Sequence, residues 1–430
     1  MGFSFVLKNS IYINIKLSIY YFTSKILIKV SITMEKTITA IELGSKKLKL
    51  VIGYALGGKV YSVYTLTKPY GPLSPDGRFF DFQKLVDTVA SIKELNDPNA
   101  KISTRITDCV LCLPPDGVEI FQTKQRTPVI SEHGKISPID IRNLYSLIKN
   151  SSSKTSNILV DIVPETYTLD DTRTIKNSPI GDIAHTLILN AKVHLSPEHI
   201  YKNYIGVLDR AKVEVKRTVV APLGAVEYLA TLDDTPTNYL LVDIGSDTTS
   251  VSLVGKNLLY ACKTFNWGGD NITADIAKKF RISMDDAEKY KKIYGIDERQ
   301  MNFKAPICSD TSGENGSVHF YKEDLNEIIR NNLNDFSNFL SEQINSLLER
   351  QNPELRRLPI VMIGGGSQLK GLVKFLSQKF DNSSLKVVVP SVIGARDATF
   401  TNCLGMILVA SKYMPMIDDT RNRAEQMIRD

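Results

Sequence analysis

Two stretches of the chain repeat the same order of apolar and polar positions. The first reads TITAIEL, KLKLVIGYAL and KVYSVYTLT, with Gly44 and the pair Gly57-Gly58 between the segments. Alternating apolar and polar residues bounded by glycine predict three strands joined by tight turns. The second begins with the apolar run Asn238–Ile244, passes Gly245 and continues as TTSVSLVGKNLLYACKTF. In both, an acid and an apolar residue precede the glycine and hydroxyl residues, so the pattern indicates an internal duplication.

Apolar residues at helical spacing mark much of the remaining chain. The predicted helices are Asp81–Leu95, Pro138–Lys149, Pro197–Ala211, Asn271–Phe280, Ser283–Tyr294, Lys322–Arg350, Lys370–Lys379 and Asn402–Lys412. Further strands are predicted at Thr107–Pro114, Val118–Thr123, Ile158–Val163, Glu165–Leu169, His185–Leu195, Leu358–Ile363 and Lys386–Val389. Strands that alternate with helices predict an α/β protein with crossover connections.

The composition is that of an ordinary globular protein. Of 430 residues, 43% are apolar and 23% are charged. These values exclude wholesale disorder, a collagen helix and a disulfide scaffold, and the length predicts several folded units. The net charge is only +6, and four lysines of that excess lie in the first 33 residues, which contain no acid. The nearly balanced remainder has no electrostatic reason to prefer nucleic acid, so we expect no such partner.

Residues 1–33 form an apolar, basic N-terminal extension. Lysines interrupt every apolar run, so the segment is too broken for a transmembrane helix and lacks the order of a signal peptide. One interpretation is a basic segment that seeks a membrane surface. The other is an upstream start codon, with translation beginning at Met34, where the first predicted strand region opens.

The cysteines are few and odd in number, which is typical of a reducing compartment. Cys109 and Cys112 form a C-x-x-C, a spacing that also occurs in zinc and redox sites. Here it lies in the apolar run DCVLCLP, which predicts a buried strand whose positions i and i+3 face opposite sides. We therefore interpret both as core residues.

One glycine segment imitates a phosphate-binding loop. Gly53, Gly58 and Lys59 satisfy the P-loop spacing, except that Val60 replaces the final Ser or Thr. A P-loop must lead into a helix, whose N-terminus supplies N–H groups to the phosphates. This segment leads into a predicted strand, so we interpret it as a hairpin turn.

Three other glycine segments carry a stronger signal together. They are Glu42-Leu43-Gly44-Ser45-Lys46, Asp243-Ile244-Gly245-Ser246-Asp247-Thr248 and Gly364-Gly365-Gly366-Ser367. Two such strand turns, facing each other across a cleft, would surround a polyphosphate with N–H and hydroxyl groups. Acids at the strand ends would hold the water shell of Mg²⁺, which keeps several of its waters in proteins. The glycine triplet would let the backbone approach a nucleotide base and sugar.

These motifs resemble the phosphate-1, phosphate-2 and adenosine motifs of the actin-like ATPase superfamily. Within it, the chain is similar to the bacterial FtsA family from Met34 to about Tyr413. The opening MEKTITAIELGSKKLKLVIGY resembles the first FtsA strand and loop. Two further blocks resemble the family in order along the chain: VDIVPETYTLDDTRTIKNSPIGDIAHTLILNAKVHLSP and WGGDNITADIAKKFRISMDDAEKYKKIYG.

The resemblance implies an actin-like, ribonuclease H-like fold: a duplicated, two-lobed α/β ATPase with an FtsA-type inserted subdomain. The implied division has six parts. They are the extension 1–33, a first-lobe nucleotide platform (34–103 and 194–236), an inserted subdomain (104–193), a second-lobe platform (237–270 and 350–395), a small helical subdomain (271–349) and a C-terminal return to the first lobe (396–430).

The resemblance also implies an ATP site with Mg²⁺. The implied nucleotide-binding residues are Glu42, Gly44, Ser45, Lys47, Asp243, Gly245, Ser246, Thr248, Gly268, Gly269, Glu288, Lys291, Gly365, Gly366 and Ser367. Glu42 and Asp243 would hold Mg²⁺ through water, and Glu288 and Lys291 would contact the ribose and adenine. From spacing alone, Glu288 and Lys291 also fit an exposed helical pair at i and i+3.

The implied function is an ATP-binding, self-assembling adaptor in bacterial cell division. It would bind the C-terminal tail of FtsZ through the helical subdomain, bind itself and later division proteins, and act in the cytoplasm at the inner face of the membrane. Glu42 stands where Asp is usual and Ser246-Asp247 where two glycines are frequent, so we expect at most weak ATPase activity. The family's C-terminal amphipathic helix is not evident in IDDTRNRAEQMIRD, which leaves the membrane link open.

Three other functions fit parts of the pattern. An actin-like pilus-assembly adaptor would have a similar cleft and insert but bind a different peptide. A small-molecule kinase of the same superfamily would need a catalytic Asp beside a substrate pocket. A nucleotide-free relative would explain Glu42 and Asp247.

Overall fold

The computed structural model describes residues 15–22, 25–32, 37–70, 81–131, 133–152, 156–297, 306–310, 318–349, 358–380 and 384–412. Met34 and the charged tail 417–430, both interpreted above, lie outside these residues, as does the predicted helix end at Arg350.

The strands, numbered along the chain, have the following bounds. They are β1 (Ile15–Phe22), β2 (Lys25–Ile32), β3 (Ile38–Leu43), β4 (Lys47–Leu56), β5 (Lys59–Pro69), β6 (Glu94–Asp97), β7 (Ile102–Arg105), β8 (Asp108–Leu113), β9 (Glu119–Pro128), β10 (Asn157–Leu169), β11 (Arg173–Ile175), β12 (Thr186–Pro197), β13 (Glu214–Val220), β14 (Tyr239–Ile244), β15 (Thr249–Gly255), β16 (Leu258–Phe265), β17 (Pro306–Asp310), β18 (Val318–Tyr321), β19 (Ile360–Ile363) and β20 (Leu385–Val387).

The helices are numbered in the same way. They are α1 (Phe82–Ser91), α2 (Pro138–Ser152), α3 (Glu198–Arg210), α4 (Ala221–Leu229), α5 (Gly269–Phe280), α6 (Met284–Tyr294), α7 (Lys322–Leu348), α8 (Leu372–Ser377) and α9 (401–412). None of the helices in the described ranges is both long enough and apolar enough to cross a lipid bilayer.

Two five-stranded sheets have the same topology. Their orders are β13-β8-β3-β4-β5 and β16-β15-β14-β19-β20. In each, three consecutive strands form an antiparallel meander. Two later strands then add in parallel beside the first strand of the meander. The matching order confirms the duplication that the repeated sequence pattern predicts.

The first-lobe core draws on distant parts of the chain. Strands β3, β4 and β8 pack with α1, α3 and α9 in one cluster of buried apolar side chains. Residues 401–410 of α9 are all buried, although the helix lies near the C-terminal end of the chain. The second-lobe sheet packs against α5, α7 and α8 in a separate cluster. Two equivalent cores, one for each sheet, therefore stand on either side of a cleft.

A third sheet is inserted between β8 and β13. Its order is β11-β10-β12-β9, and α2 covers one face. From the sequence we place the start of this insertion at residue 104. However, β8 pairs in parallel with β3 and β13 in the first-lobe sheet. The continuous apolar run of β8 is typical of a strand buried on both faces, so it belongs with the larger sheet.

The pairing in strands and turns corrects several predicted boundaries. Helix α1 ends at Ser91 instead of Leu95, because β6 and β7 form a hairpin immediately after it. Asp97 nucleates that turn by accepting hydrogen bonds from the backbone N–H groups of Asn99 and Ala100. The two strands predicted at Ile158–Val163 and Glu165–Leu169 are one strand, β10, with an irregular register at Pro164. Strand β13 and helix α4 have no counterpart among the predicted elements.

Other local predictions are confirmed. Gly57 and Gly58 have φ values of +58° and +76° in the turn between β4 and β5, so the P-loop-like segment is a hairpin. Cys109 and Cys112 are 1% and 2% exposed, as expected of core residues.

His194 is expected to make the protein less stable in mild acid. It is fully buried on β12, and burial lowers its pKa to about 3 from 6.5, with Lys192 adding to the shift. Because the unfolded chain binds a proton below pH 6.5 and the folded protein does not, stability falls as the pH drops from 6.5 towards 3. Urea titrations at pH 7 and pH 5 should differ by roughly 2 kcal/mol from this residue.

The control for this prediction is the exposed His199. His194→Leu should flatten the pH dependence of stability between pH 7 and pH 5, whereas His199→Leu should leave it unchanged. An equal dependence in wild type and His194→Leu would contradict the assignment.

Candidate functional site

The first phosphate loop lies between β3 and β4 and is braced from β5. The backbone N–H of Gly44 donates to the Lys47 carbonyl at 3.1 Å, which closes a tight turn. Tyr70 holds this turn twice: its N–H donates to the Lys46 carbonyl at 3.0 Å, and its hydroxyl donates to the Gly44 carbonyl. Tyr70 is 4% exposed. It positions the loop, and no sequence pattern marks it, because its partners lie more than 20 positions earlier in the turn between β3 and β4.

The second phosphate loop repeats this geometry between β14 and β15. The N–H of Gly245 donates to the Thr248 carbonyl at 2.9 Å, in the same i to i+3 pattern. Gly268 packs so closely on this loop that a Cβ there would lie 2.2 Å from the Ser246 carbonyl oxygen. The start of α5 is therefore held directly against the second loop.

The glycine triplet meets the second loop at the end of β19. Gly364 has φ +82°, and a Cβ there would lie 2.3 Å from Oδ1 of Asp243. A Cβ on Gly366 would lie 2.4 Å from Cγ2 of Ile244. Ser367 is 2% exposed, and its hydroxyl donates to the Gly364 carbonyl at 2.7 Å. Only glycine allows this approach, and Ser367 stabilises the turn from inside.

All three segments border one cleft of about 920 Å³ between the two lobes. The implied residues that line the cleft are Glu42, Gly44, Ser45, Lys47, Asp243, Gly245, Ser246, Thr248, Gly269, Glu288, Lys291, Gly365 and Gly366. Gly268 and Ser367 are not among the lining residues, because they lie behind the surface and support it.

Two carboxylates, the buried Glu42 of the first lobe and the half-buried Asp243 of the second, line the cleft. Glu42 accepts a hydrogen bond from Lys49 Nζ at 2.7 Å, and Asp243 accepts one from the Asn402 amide at 3.1 Å. Burial raises the pKa of Asp243, Lys49 opposes this, and Glu42 raises it further. Burial alone would lower the pKa of Lys49, but Glu42 and Asp243 raise it overall. A water-held Mg²⁺ fits this arrangement, because a cation would relieve the repulsion between the two carboxylates.

Lys49 is a site residue that the sequence analysis missed. It lies two residues after Lys47 on β4 and therefore on the same face of the strand. A Cβ on Gly44 would lie 3.7 Å from Lys49 Nζ, so the ammonium is beside the first loop. In the sequence, Lys49 is one of three nearby lysines at the start of an amphipathic strand. No local pattern distinguishes it from Lys46 and Lys47 as a site residue.

One wall of the cleft contains an ionic network on α5 and α6. Lys291 Nζ donates to the Gly269 carbonyl at 2.7 Å, to the Thr273 hydroxyl at 2.8 Å and to Glu288 at 2.5 Å. Burial acts to raise the pKa of Glu288, but Lys291 and the hydrogen bonds lower it to about 2. Lys291 is 7% exposed, so the exposed helical pair is excluded. The ammonium is engaged by protein acceptors and holds Glu288 ionised at the cleft.

Asp247 does not line the cleft. Its carboxyl group hydrogen-bonds to that of Asp270, and burial together with this neighbour raises the pKa of Asp247 to about 6. The negative charge that the sequence places in the second loop therefore points away from the space between the loops.

The comparisons with known proteins agree with this architecture. The family model for the cell division protein FtsA matches residues 240–405. The chain is 24% identical to the cell division protein FtsA of Streptococcus pneumoniae, over 86% of this chain and 79% of that protein. It is also 24% identical to FtsA of Buchnera aphidicola, over 89% of this chain and 93% of that protein.

A solved structure shares the fold. The chain of a PilM-PilN type IV pilus biogenesis complex matches with a TM-score of 0.57 and 17% identity, covering 87% of this chain and 98% of that chain. With the two equivalent sheets, this likeness confirms the expected actin-like α/β fold.

Proposed function

We propose that this chain is a member of the FtsA family and that it acts in cell division as an ATP-binding, self-assembling adaptor. One observation carries the proposal: two equivalent strand turns and a glycine triplet, widely separated in sequence, border a single cleft between duplicated lobes. N–H groups, hydroxyls and lysines in such turns match the charge and hydrogen-bonding needs of a polyphosphate.

In this proposal each wall of the cleft binds a different part of Mg-ATP. The first loop, with Ser45, Lys47 and Lys49, and the second loop, with Ser246 and Thr248, hold the phosphates. Glu42 and Asp243 hold the water shell of Mg²⁺, which neutralises phosphate charge when bound. Glu288, positioned by Lys291, accepts from the ribose hydroxyls, and Gly365 and Gly366 leave room for the base. ATP serves mainly as a ligand that biases the lobes toward one assembly state.

The proposed partners follow from the family. The helical subdomain 271–349 binds the C-terminal tail of FtsZ, and other surfaces bind further copies of the chain and later division proteins. The site of action is the cytoplasmic face of the membrane at the division site.

Lys47→Gln is expected to weaken ATP binding by roughly tenfold, because it removes one charge-assisted contact to phosphate. Lys47 is the exposed first residue of β4, so the melting temperature without nucleotide should not change. Lys59→Gln is the matched control, since Lys59 is the exposed first residue of β5 and lies outside the cleft. Fluorescence of a labelled ATP analogue would measure both affinities; equal affinities would contradict the assignment of Lys47.

The adaptor function is tested with a fluorescent peptide of the FtsZ C-terminus. The full-length chain, loaded with Mg-ATP, should raise the anisotropy of this peptide saturably and leave a scrambled peptide unchanged. Absence of binding, with ATP affinity intact, would overturn the FtsZ link and favour the pilus-type adaptor. ATP consumption stimulated by a sugar would favour the kinase, and absence of any stabilisation by ATP would favour the nucleotide-free relative.

A further inference from the structure

An ion pair joins the first phosphate loop to the start of α5, which packs on the second phosphate loop. Lys46 Nζ, on the first loop, contacts the carboxylate of Asp270, at the start of α5. The two side chains are 36% and 20% exposed, so the pair lies at the mouth of the cleft, and both residues line it. Because the loops belong to different lobes, this contact spans the opening through which a ligand would enter.

Asp270 is fixed to the second loop by the backbone. Its N–H donates to the Ser246 carbonyl at 2.8 Å, and the N–H of Gly269 donates to the Gly245 carbonyl at 3.0 Å. Asp270 is therefore held against the second loop, and the lysine that balances its charge comes from the opposite lobe.

This arrangement opposes the binding of a polyanion. The Lys46 charge is already neutralised by Asp270, and a phosphate chain between the loops meets the negative field of the Asp270 carboxylate, which lines the cleft. A ligand that takes Lys46 from Asp270 gains an ammonium contact and breaks a link between the lobes in the same step. The more negative the ligand, the more effectively it competes for Lys46.

We infer that the Lys46–Asp270 pair is an autoinhibitory latch across the cleft, which a polyphosphate opens by replacing the Asp270 carboxylate at Lys46. This inference rests on the proposed nucleotide site. If so, Asp270 lowers the affinity of the cleft for a polyphosphate. The ion pair also holds the two lobes closer together at this edge in the ligand-free protein than they would be without it.

The test compares wild type with Asp270→Asn in two measurements. In the nucleotide-free full-length chain, hydrogen exchange at residues 44–47 should speed up by roughly fivefold or more, although the substitution is on the other lobe. Affinity for ATP should rise by roughly fivefold or more, and affinity for ADP by less, because ADP carries less negative charge.

Two control variants separate the latch from simpler effects. Asn271→Ala removes the hydrogen bond from the Gly268 N–H to the Asn271 side chain and weakens the start of α5 without touching the ion pair. Lys386→Gln removes an ion pair to Asp234 away from the cleft. Neither control should speed exchange at residues 44–47.

The outcomes decide between the two proposals. Unchanged exchange at residues 44–47 in Asp270→Asn, or an increase equal to that in Asn271→Ala, would overturn the latch. Faster exchange with equal or lower ATP affinity than wild type would overturn its role in ligand entry. If no variant binds ATP, the nucleotide-binding proposal fails, and with it the ligand-opened latch, while the exchange result still decides whether the pair closes the lobes.

Discussion

Replacing Arg217 with Met is expected to lower the free energy of unfolding by about 4 kcal/mol. Arg217, on β13, forms an ion pair with Asp161, on β10, and their side chains are 4% and 0% exposed. Removal of the guanidinium leaves a buried carboxylate without its counter-charge. Burial already raises the pKa of Asp161, and Arg217 is the main opposing influence, so the variant would relieve the charge partly by taking up a proton.

A double variant tests whether the unbalanced charge is the cause. Asp161→Asn with Arg217→Met should recover most of the lost stability, because replacing both partners of a buried pair is often close to neutral. Arg173→Met removes an exposed pair with Asp182 at 3.0 Å, where the side chains are 56% and 39% exposed. This control should cost less than about 1 kcal/mol. Equal losses in urea titration for the single and double variants would show that packing, not charge, dominates.

The ion pair between Arg217 and Asp161 joins two sheets of the protein. Strand β10 belongs to the inserted sheet and β13 to the first-lobe sheet. The pair therefore ties the insertion to the lobe that carries the first phosphate loop. We expect Arg217→Met to loosen this attachment first, and proteolysis near 114–118 would detect that change.

Replacing Gly405 with Ala is expected to cost about 3 kcal/mol or more, which is the upper part of the range for overpacking. Gly405 lies on α9 where that helix crosses α4. A Cβ there would lie 1.6 Å from the carbonyl oxygen of Gly224, which is a backbone atom. No side-chain rotation relieves such a contact, so the two helices would have to separate within the first-lobe core.

The same helix carries residues of the candidate site. Asn402 donates to Asp243, and Cys403 lies next to Glu42 with Sγ at 3.9 Å from Oε2. Displacement of α9 should therefore also weaken ATP binding by a protein that remains folded. The matched control is Gly206→Ala on α3, where a Cβ would meet Phe82 at an ordinary 3.6 Å.

Thermal and urea unfolding of both variants would test this expectation. Gly206→Ala should be neutral or stabilising by up to about 1 kcal/mol, since alanine favours a helix over glycine. A similar small effect of Gly405→Ala would mean that the helices tolerate separation and that the close crossing contributes little to stability.

The local parts of the fold were predictable because their signals are local. Alternation in TITAIEL and its echo before Gly245 predicted two meanders, and the structure has the same strand order in both sheets. Strand β13 and helix α4 were missed, since EVKRTVV and APLGAVEYL show neither a clean alternation nor a helical stripe. In APLGAVEYL the nearly uniform apolarity does not distinguish a strand from a helix, and in EVKRTVV three charged residues obscure the alternation of a buried strand.

The candidate site also has a part that local sequence predicts and a part that it does not. Turn chemistry after β3 and β14, and the glycine triplet after β19, follow from residues next to one another in the sequence. Their meeting in one cleft was inferred from the internal duplication and supported by the resemblance to a family, because no local pattern relates residue 44 to residue 365. The buried network around Lys291 could not be predicted from local sequence either, because the spacing of Glu288 and Lys291 equally fits an exposed helical pair.

By itself, the sequence determined the class of fold, the duplicated meanders and the residues that form the three loops, because backbone propensity and turn chemistry act over a few residues. Only the tertiary structure decided that Tyr70 braces the first loop, that Lys49 pairs with Glu42 and senses the charge of Asp243, and that Lys46 pairs with Asp270 across the cleft. Those contacts join residues on different strands or lobes, and their energies arise from burial and charge that exist only after the lobes pack.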